Sequence, residues 1–332
     1  MRQLTVGPND AGQRLDRFLS KAVPLLPESL LQKYIRLKRV KLNGGRANRD
    51  ARLAAGDVLE LYVGDEFFEK PGSRPARREL AAPKLDIVYE DKNLLLLNKP
   101  AGMLSHGDGG WEPNTLLDHL QAYARLKGFW DPGGELSFAP ALCNRLDRNT
   151  GGLLIAAKNA EALRILNEKI RSREIDKYYL CAVFGAPNPP AGRLEGYLFK
   201  DAAKNQVYVR DSREPGVKTA VTEYRTLVKR GELSLLECRL VTGRTHQIRA
   251  QLAHAGHPLL GDGKYGSERK NRALGETRQA LWSYKLVFRF PTDAGALNYM
   301  RGRTFAAPHV AFAEKYFGFK GPAESPAPWP AP

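Results

Sequence analysis

The sequence is poor in cysteine, and the three that it has, Cys143, Cys181 and Cys238, are scattered along 332 residues. Three cysteines at these spacings form neither a disulfide framework nor a zinc-binding pattern. The sequence therefore excludes a small disulfide-stapled secreted domain. Each cysteine is predicted to be a small buried apolar residue.

Long hydrophobic runs are also missing. A membrane-spanning helix needs about 20 consecutive apolar residues, and neither terminus has the strongly amphipathic, basic pattern of a surface-bound helix. The first residues, Met-Arg-Gln-Leu-Thr-Val, lack the apolar core of a signal peptide. No internal repeat with a period of about 20–50 residues is found. We therefore expect a cytosolic protein with no membrane partner.

Acidic residues are scarce relative to basic ones. The chain has 52 lysines and arginines against 36 aspartates and glutamates, which gives a formal net charge of +16. This excess predicts a polyanionic partner, most simply nucleic acid. Hydrophobic residues make up 42% of the chain, enough for a packed core, and the length allows one small and one large domain.

Residues 1–65 have the pattern of a small αβ unit. Apolar residues at helical spacing predict a helix over 12–22 and a second one over 28–37, while a turn at 43–45 and alternation over 59–63 predict a hairpin. Basic residues cluster on the second helix and on the turn after it: Lys33, Arg36, Lys38, Arg39 and Lys41. Their clustering favours contact with RNA phosphates over a merely solvated helix face.

The remainder of the chain predicts a larger α+β domain with a mixed, mainly antiparallel sheet. Residues 66–83 lack periodicity, contain Pro, Gly and Arg, and are predicted to be a linker. The large domain is expected over 84–318, followed by a Pro-rich disordered tail at 319–332. Helices are predicted over 114–127, 160–171 and 246–255, and strands over 87–89, 94–97, 153–157, 177–184, 206–210, 220–228, 233–241 and 280–290.

The residues best suited to chemistry lie between Ala141 and Ala157. One carboxylate, Asp147, lies between Arg145 and Arg148, and two glycines then precede an apolar run that predicts a buried strand. The glycines allow backbone and side chains to approach a ligand closely. On this pattern alone, a surface salt-bridge loop beside a core strand is the more ordinary interpretation.

Two further patterns predict no site. Gly261-Asp-Gly263-Lys-Tyr-Gly266 has the letters of a dinucleotide fingerprint, but it neither follows a strand nor opens a helix. His246, His254 and His257 have no acid or cysteine at a metal-binding spacing, so no metal site is predicted. A nucleophile elbow is also missing from the sequence.

Several motifs resemble known families. Gly12-Gln-Arg-Leu-Asp-Arg-Phe-Leu19, Ile35-Arg-Leu-Lys-Arg-Val-Lys-Leu-Asn43 and Ala54-Ala-Gly-Asp-Val-Leu59 are similar to the RNA-binding module of ribosomal protein S-four. The larger part resembles the RluA-type RNA pseudouridine synthases, closest to the RluC-like branch that carries this S-four-like module. The motifs behind this second resemblance occur in order along the chain: Leu97-Asn-Lys-Pro-Ala-Gly-Met-Leu-Ser-His-Gly107, Arg145-Leu-Asp147 with Thr150 and Gly152, Lys177-x-Tyr179, Thr242-Gly-Arg-Thr-His-Gln-Ile-Arg249, Gly256-His-Pro-Leu-Leu-Gly-Asp262 and Tyr265-Gly266.

The resemblance implies roles for individual residues. It places the catalytic aspartate at Asp147, the active-site tyrosine at Tyr179 and the active-site arginine at Arg249. It also assigns nucleotide flipping to Arg145. We predict an RNA-facing surface around these residues, made of Asn144, Arg145, Arg148, Arg244 and His246.

The implied chemistry is the isomerisation of uridine, which requires one ionised carboxylate. Asp147 acts either as a nucleophile or as a base, and the residues leave both routes open. A nearby Arg249 would favour the anion, while Tyr179 is suited to stack on the uracil and to help remove the final ring proton. A base inside a helix must first be extruded. Nothing is oxidised and no group is imported, so neither a cofactor nor a metal is expected.

Two departures from the family pattern bear on the substrate. Asn144 stands where His is usual, and Gly151 stands where Ser is usual. Enzymes with this combination of modules mostly modify large-subunit ribosomal RNA, which is therefore the expected substrate. A transfer-RNA enzyme and an inactive RNA-binding ribosome-assembly factor are the alternatives, and a monomer is the expected state.

Overall fold

The computed structural model describes residues 1–68, 80, 82–107 and 114–321. Most of the predicted linker and nearly all of the predicted Pro-rich tail lie outside the described residues. The described part is an α+β structure with two separate sheets, one of four strands and one of eleven. The predicted combination of helices with a mixed, mainly antiparallel sheet is confirmed. No helix of this part is long and apolar enough to span a bilayer.

The first sheet belongs to the amino-terminal unit. Its elements are β1 (Arg2–Thr5), α1 (Leu15–Ala22), α2 (Glu28–Arg36), β2 (Val40–Leu42), β3 (Gly45–Arg46) and β4 (Val58–Leu61). The strands are antiparallel in the order β1–β4–β2–β3. Helical spacing brings Leu15, Phe18 and Leu19 into a core with Leu59 and Leu61, all at most 1% exposed. Strand β1 was not predicted, because its four residues are mostly exposed and lie at the sheet edge.

The second sheet contains the motifs that suggest chemistry. The remaining strands and α-helices are β5 (Ile87–Glu90), β6 (Leu94–Lys99), α3 (Leu116–Leu126), β7 (Ala141–Leu142), β8 (Gly151–Ala157), α4 (Ala160–Arg171), β9 (Ile175–Phe184), β10 (Ala191–Asp201), β11 (Gln206–Arg210), β12 (Lys218–Arg230), β13 (Leu233–Leu240), α5 (Gln247–His254), α6 (Glu268–Ala273), β14 (Leu281–Phe288), β15 (Thr304–Ala306) and α7 (Ala311–Phe317). Short 3₁₀ helices span Asp65–Phe67 and Gly295–Met300. The strand order is β11–β10–β12–β13–β9–β14–β8–β6–β5, with β15 beside β14 and β7 beside β8.

Both faces of the large sheet are covered by helices. Along β9, Tyr179 and Cys181 pack into a cluster that includes residues of α3 and α5. The neighbouring Tyr178 and Leu180 point to the other face and pack with α7. Burial on both faces explains why β9 has a nearly continuous apolar run in place of alternation. It also places Tyr179 on the face covered by α5.

Two glycines permit β8 to pair in parallel with β14. Gly151 lies opposite Trp282, and Gly152 lies opposite Ser283. A β-carbon on Gly151 would collide with the Trp282 ring, and one on Gly152, whose φ is +110°, would collide with the Ser283 backbone. The missing side chains therefore allow the strand that follows Asp147 to join the sheet.

The sequence prediction misses β10, α6, β15 and α7. Strand β10 consists largely of exposed and half-buried residues, so its apolar alternation is weak. Helices α6 and α7 have six and seven residues, which is too short to establish a helical period. Cys181 and Cys238 are fully buried as predicted, whereas Cys143 is only half-buried, and the prediction is wrong there.

The amino-terminal unit contacts the large one through polar groups around Asp10. The buried carboxylate of Asp10 accepts hydrogen bonds from the amide and the hydroxyl of Ser137, at 3.0 and 2.5 Å. Gln13 donates to the Ser137 hydroxyl at 2.6 Å, and Arg164 on α4 donates to the Ala11 carbonyl at 2.9 Å. The loop before β7 and helix α4 therefore form the contact surface for the small unit.

Candidate active site

A cleft of about 520 Å³ opens between the loop before β8, the start of β9 and the loop that leads from β13 into α5. All three residues predicted to be catalytic, Asp147, Tyr179 and Arg249, line it. Four of the predicted RNA-facing residues line it as well: Asn144, Arg145, Arg244 and His246. The fold thus brings three separate sequence motifs to one cavity.

The loop that carries Asp147 is fixed by hydrogen bonds on both sides of the residue. The Ser105 hydroxyl donates to the Leu146 carbonyl at 2.9 Å and accepts from the Leu146 amide at 3.1 Å. The Thr150 amide donates to the Asp147 carbonyl at 3.1 Å and closes a turn. The Asp147 side chain is 21% exposed and lines the cleft. Its carboxylate is therefore presented to the cleft by a well-supported loop.

A buried lysine supports the same loop. Lys99, at the end of β6, is fully buried, and its ammonium donates to the carbonyls of Pro100, Met103 and Arg148 at 2.9, 2.8 and 3.1 Å. Burial lowers the pKa of Lys99 to about 8, although the charge of Asp147 opposes the shift. Lys99 lies in one of the family motifs, yet no sequence pattern predicts its three backbone contacts. It connects β6 to the residue next to Asp147.

Arg249 links Asp147 to a second, fully buried carboxylate. Its Nη1 donates to Asp147 Oδ2 at 3.1 Å, while Nε and Nη2 form a bidentate pair with Asp262 at 2.7 and 2.9 Å. Asp262 also accepts from the amides of Lys264 and Tyr265. Burial alone would raise the pKa of Asp262, but the hydrogen bonds and charge of Arg249 lower it. The guanidinium is held on one side and directs a remaining donor at Asp147.

Sequence reasoning assigned no role to Asp262. The residue lies in the glycine pattern 261–266, which has the letters of a nucleotide fingerprint but forms the loop that anchors Arg249. Gly261 has a φ of +74°, and a β-carbon there would collide with the Arg278 backbone. An acid enclosed by two glycines, Gly261 and Gly263, is the signal that would have drawn attention to it.

His246 also lies close to the Asp147 carboxylate, near the same oxygen that accepts from Arg249. Its backbone is left-handed, with a φ of 53°, and its Nε2 is 3.7 Å from Asp147 Oδ2. Its Nδ1 forms a 2.9 Å hydrogen bond with the Tyr265 hydroxyl, which in turn accepts the Val207 amide at 2.8 Å. Burial lowers the pKa of His246, although Asp147 opposes the shift. This predicted RNA-facing residue therefore also lies against the candidate catalytic carboxylate.

Tyr179 provides a buried aromatic surface in the cleft. It is 5% exposed and packs in the same cluster as Ile248 and Leu281. Burial raises the pKa of Tyr179, and a hydrogen bond with Ser283 opposes the shift. The phenol is therefore un-ionised at neutral pH.

The predicted RNA-facing residues of the Asp147 motif differ in their placement. Arg145 is exposed and lines the cleft, as does Arg244 from the loop before α5. Asn144 lines the cleft too, but its side-chain oxygen accepts the Ile155 amide at 2.9 Å, so part of its role is structural. Arg148 is exposed but does not line the cleft.

Three basic residues of the cleft were not predicted. Arg171, Arg173 and Lys177 line the wall formed by the end of α4 and the start of β9. Arg171 and Arg173 are single charges at the end of a helix, which give no distinctive sequence pattern. Lys177 belongs to the motif Lys177-x-Tyr179, but the motif alone did not indicate that it faces the cleft.

The other histidines that were considered as metal ligands lie elsewhere. His254 is 3.6 Å from Asp211, and Nδ1 of His257 is 3.1 Å from the Phe184 carbonyl. Over the described ranges, no group of three or more His, Cys, Asp or Glu is arranged to hold a metal ion.

The basic residues of the small unit border a second, more open cleft of about 420 Å³. Lys33 and Arg36 line it together with Arg46 and Arg49. The other predicted phosphate contacts follow α2 and are exposed or half-buried: Lys38, Arg39 and Lys41. The cleft therefore combines two predicted basic residues with two that the sequence clustering left out.

Comparison with known proteins identifies the family. Residues 93–254 match the sequence model of a family described as RNA pseudouridylate synthase. Ribosomal large subunit pseudouridine synthase C from Vibrio cholerae is 34% identical over 262 residues, which cover 78% of each protein. The chain belongs to the RNA pseudouridylate synthase family. The family predicted from the motifs is confirmed, and with it the enzyme class, an isomerase.

Other members of the RNA pseudouridylate synthase family match most of the chain. Ribosomal large subunit pseudouridine synthase D from Zymomonas mobilis is 33% identical over 90% of this chain and 92% of its own length. Ribosomal large subunit pseudouridine synthase C from Escherichia coli is 32% identical over 84% of each. The solved structure of human RNA pseudouridylate synthase domain containing 4 aligns with a TM-score of 0.53 and 24% identity, covering 68% of this chain and 89% of that one. The structural likeness shows a shared fold.

Proposed function

We propose that this enzyme converts uridine to pseudouridine in large-subunit ribosomal RNA, as a cytosolic monomer that uses Asp147 as its catalytic carboxylate. The observation that carries the proposal is the ion pair between Asp147 and Arg249 in a cleft with a cationic rim. The names of the relatives from Vibrio cholerae and Zymomonas mobilis, which refer to the large ribosomal subunit, support the choice of RNA.

The reaction rearranges bonds within one nucleotide. The N1–C1′ glycosidic bond breaks, the uracil turns, a C5–C1′ bond forms, and the proton lost from C5 is balanced by one gained at N1. No electrons and no groups are exchanged with another molecule. Asp147 acts either as a nucleophile that attacks C1′ or as a base that removes a sugar proton. Both routes require the ionised carboxylate that Arg249 stabilises.

The neighbours of Asp147 have complementary parts in this proposal. Asp262 neutralises part of the charge of Arg249. Arg249 therefore stabilises the Asp147 anion without adding an unpaired charge to the cleft. The buried ring of Tyr179 offers a face on which the detached uracil stacks while it turns. In this proposal the carboxylate and the cation stay fixed while the detached uracil turns on the aromatic surface.

The target nucleotide has to leave its stack to reach Asp147. Extrusion costs a few kcal/mol, which stacking on Tyr179 and contacts to the RNA backbone offset. Arg145 is exposed at the cleft, where it is suited to fill the gap that the nucleotide leaves. This assignment is part of the proposal.

We also propose that the amino-terminal unit is an S-four-like RNA-binding module. The cleft lined by Lys33, Arg36, Arg46 and Arg49 supports this role, because it presents four cations on one small unit. Contacts through Asp10 and Ser137 then hold this second RNA contact beside the catalytic unit.

Tritium release from carbon five of uridine tests the proposed substrate. Purified enzyme would be incubated separately with large-subunit ribosomal RNA and with transfer RNA, both tritiated at that carbon. We expect release from the ribosomal RNA and none from the transfer RNA. Release from transfer RNA alone would contradict the proposed substrate. No release from either, with RNA binding intact, would instead identify an inactive RNA-binding assembly factor.

A further inference from the structure

Two helices of the described structure are followed by a basic residue with a left-handed backbone, at the position where four other helices are followed by glycine. In these six helices, a residue with a left-handed backbone follows the last helical turn. Glycine takes this position after α3, α5, α6 and α7: Gly128, Gly256, Gly275 and Gly318. After α2 the residue is Lys38, with a φ of 60°, and after α4 it is Arg173, with a φ of 59°.

The helix end at Arg173 is regular, so the position itself does not require arginine. The Arg173 amide donates to the Ile170 carbonyl at 3.2 Å, and the Glu174 amide donates to the Lys169 carbonyl at 2.8 Å. These are the two bonds that glycine-terminated helices form. A left-handed backbone is strained for residues with a β-carbon, and glycine avoids the strain. A side chain that is retained despite the strain indicates a function.

The Arg173 side chain is exposed on the wall of the active-site cleft. Lys177 lies on the same wall, and Arg244 lines the cleft from the loop before α5. Within the described ranges, the side chains of Arg173 and Lys177 take part in no hydrogen bond and no ion pair. The acid next to Arg173, Glu174, accepts hydrogen bonds from Lys169, Ser172 and Thr292. The acid next to Lys177, Asp176, is paired with Arg289 at 2.9 Å.

Lys177 brings a second cation into this part of the cleft. A β-carbon at Gly243 would lie 3.8 Å from its ammonium, so the lysine extends toward the loop that carries Arg244. Burial lowers the pKa of Lys177, and the charge of Asp176 opposes the shift. The wall therefore presents hydrogen-bond donors that have no acceptor among the described residues.

We propose that Arg173 and Lys177 form a binding subsite for a phosphodiester of the RNA strand, next to the nucleotide on which Asp147 acts. The inference rests on the proposed function, because the ligand is part of the RNA substrate. Guanidinium and ammonium groups only donate hydrogen bonds, and a phosphate offers acceptors of matching charge. The planar guanidinium suits two phosphate oxygens at once.

A cation at the end of a helix also stabilises the helix dipole, and this explanation makes a different prediction. If Arg173 serves the helix, its replacement by glycine lowers the thermal stability. If it serves the RNA, Arg173→Gly relieves backbone strain, and the stability does not fall while RNA binding weakens.

The experiment compares Arg173→Gly with the wild type. It measures the thermal midpoint, the Kd for a large-subunit ribosomal RNA fragment at several salt concentrations, and the single-turnover rate at saturating RNA. We expect an equal or higher midpoint, a Kd raised about tenfold at low salt, and a slope of log Kd against log salt that is smaller by about 0.7–0.9. The rate at saturating RNA stays near that of the wild type.

Two further variants sharpen the comparison. Lys177→Gln should weaken binding in the same way without any change of backbone strain. Lys229→Ala removes an exposed charge at the carboxyl-terminal end of β12, outside the cleft lining, and should bind RNA like the wild type.

An Arg173→Gly protein with wild-type affinity and salt slope would overturn the subsite. A lower midpoint with unchanged affinity would overturn it as well and assign the residue to the helix end. A wild type that neither binds nor isomerises ribosomal RNA would contradict the proposed function itself, and the subsite with it.

Discussion

Gly151 lies four residues after Asp147 and against the ring of Trp282. The motif resemblance predicts Ser at this position, and the sequence departs from it. The structure gives a physical reason, because the Trp282 ring occupies the space that a β-carbon would need. The departure at 151 is therefore coupled to a residue on β14. No local sequence pattern reveals this coupling, since the two residues meet only through strand pairing.

Restoring the usual residue with Gly151→Ser should lower the free energy of unfolding by about 1–3 kcal/mol, because it overpacks the β8–β14 pair. It should also slow single-turnover isomerisation, since the strain falls next to the Asp147 loop. Adding Trp282→Leu should recover part of both losses, with Trp282→Leu alone as the control. Thermal unfolding and rates of the four proteins test this. Strictly additive effects would contradict the proposed coupling.

The residues of the candidate active site form two groups, those predicted from motifs and those recognised only in the structure. Asp147, Tyr179 and Arg249 were predicted from motifs, and the fold brings all three to one cleft. Lys99 and Asp262 were not given roles, because what they do depends on partners that are distant in sequence. The three carbonyls that Lys99 contacts and the arginine that Asp262 pairs with cannot be recognised from the residues next to them in sequence.

The connection between α4 and β9 shows how an element boundary supports the site. Glu174 is buried there and accepts hydrogen bonds from Lys169, Ser172 and Thr292. Burial alone would raise the pKa of Glu174, but these hydrogen bonds lower it to about 2 from 4.5. The same short segment carries Arg173 on the cleft wall and leads into the strand of Tyr179.

Because the pKa of Glu174 is lowered in the folded state, the free energy of unfolding should fall at acidic pH. A carboxylate whose pKa is lowered in the folded state stabilises fully above its unfolded value of 4.5, and the contribution is lost as the pH falls toward about 2. Glu174→Gln should therefore lower the free energy of unfolding by about 3 kcal/mol near neutral pH, because it leaves Lys169 buried without its counter-charge. The loss should shrink between pH 4.5 and 2.

Denaturant unfolding of wild type and Glu174→Gln across this pH range measures the difference. Glu168→Gln, an exposed change on helix α4, is the matched control and should have little effect. If the free energies of unfolding of wild type and Glu174→Gln differed by the same amount at pH 6 and at pH 2.5, the stabilising role of the ionised Glu174 would be contradicted.

Helices and strands were predictable where burial of one face gave their apolar residues a regular spacing in the sequence. Strand β13 and helix α5 appear close to their predicted bounds, because their apolar residues face a packed core. Strand β10 was missed because exposed and half-buried residues prevail along it, and its pairing with β12 is a long-range interaction that short windows do not sense.

Over the whole molecule, the net charge of +16 is distributed so that basic residues line two separate clefts. Composition predicted a polyanionic partner, and motif order predicted the family. Neither predicted that polar contacts around Asp10 set the small unit against the loop before β7 and helix α4. That contact depends on tertiary structure, since its partners are far apart in the chain.

We propose that the Asp147 carboxylate is the catalytic group in the isomerisation of uridine in RNA. The most direct test is Asp147→Asn, which keeps the size of the side chain and removes the charge. Binding and tritium release from uridine would be measured under single-turnover conditions, with the wild type alongside. We expect a Kd within about twofold of the wild type and no tritium release, because the proposed chemical step needs the carboxylate and RNA binding does not. Release at the wild-type rate would contradict it.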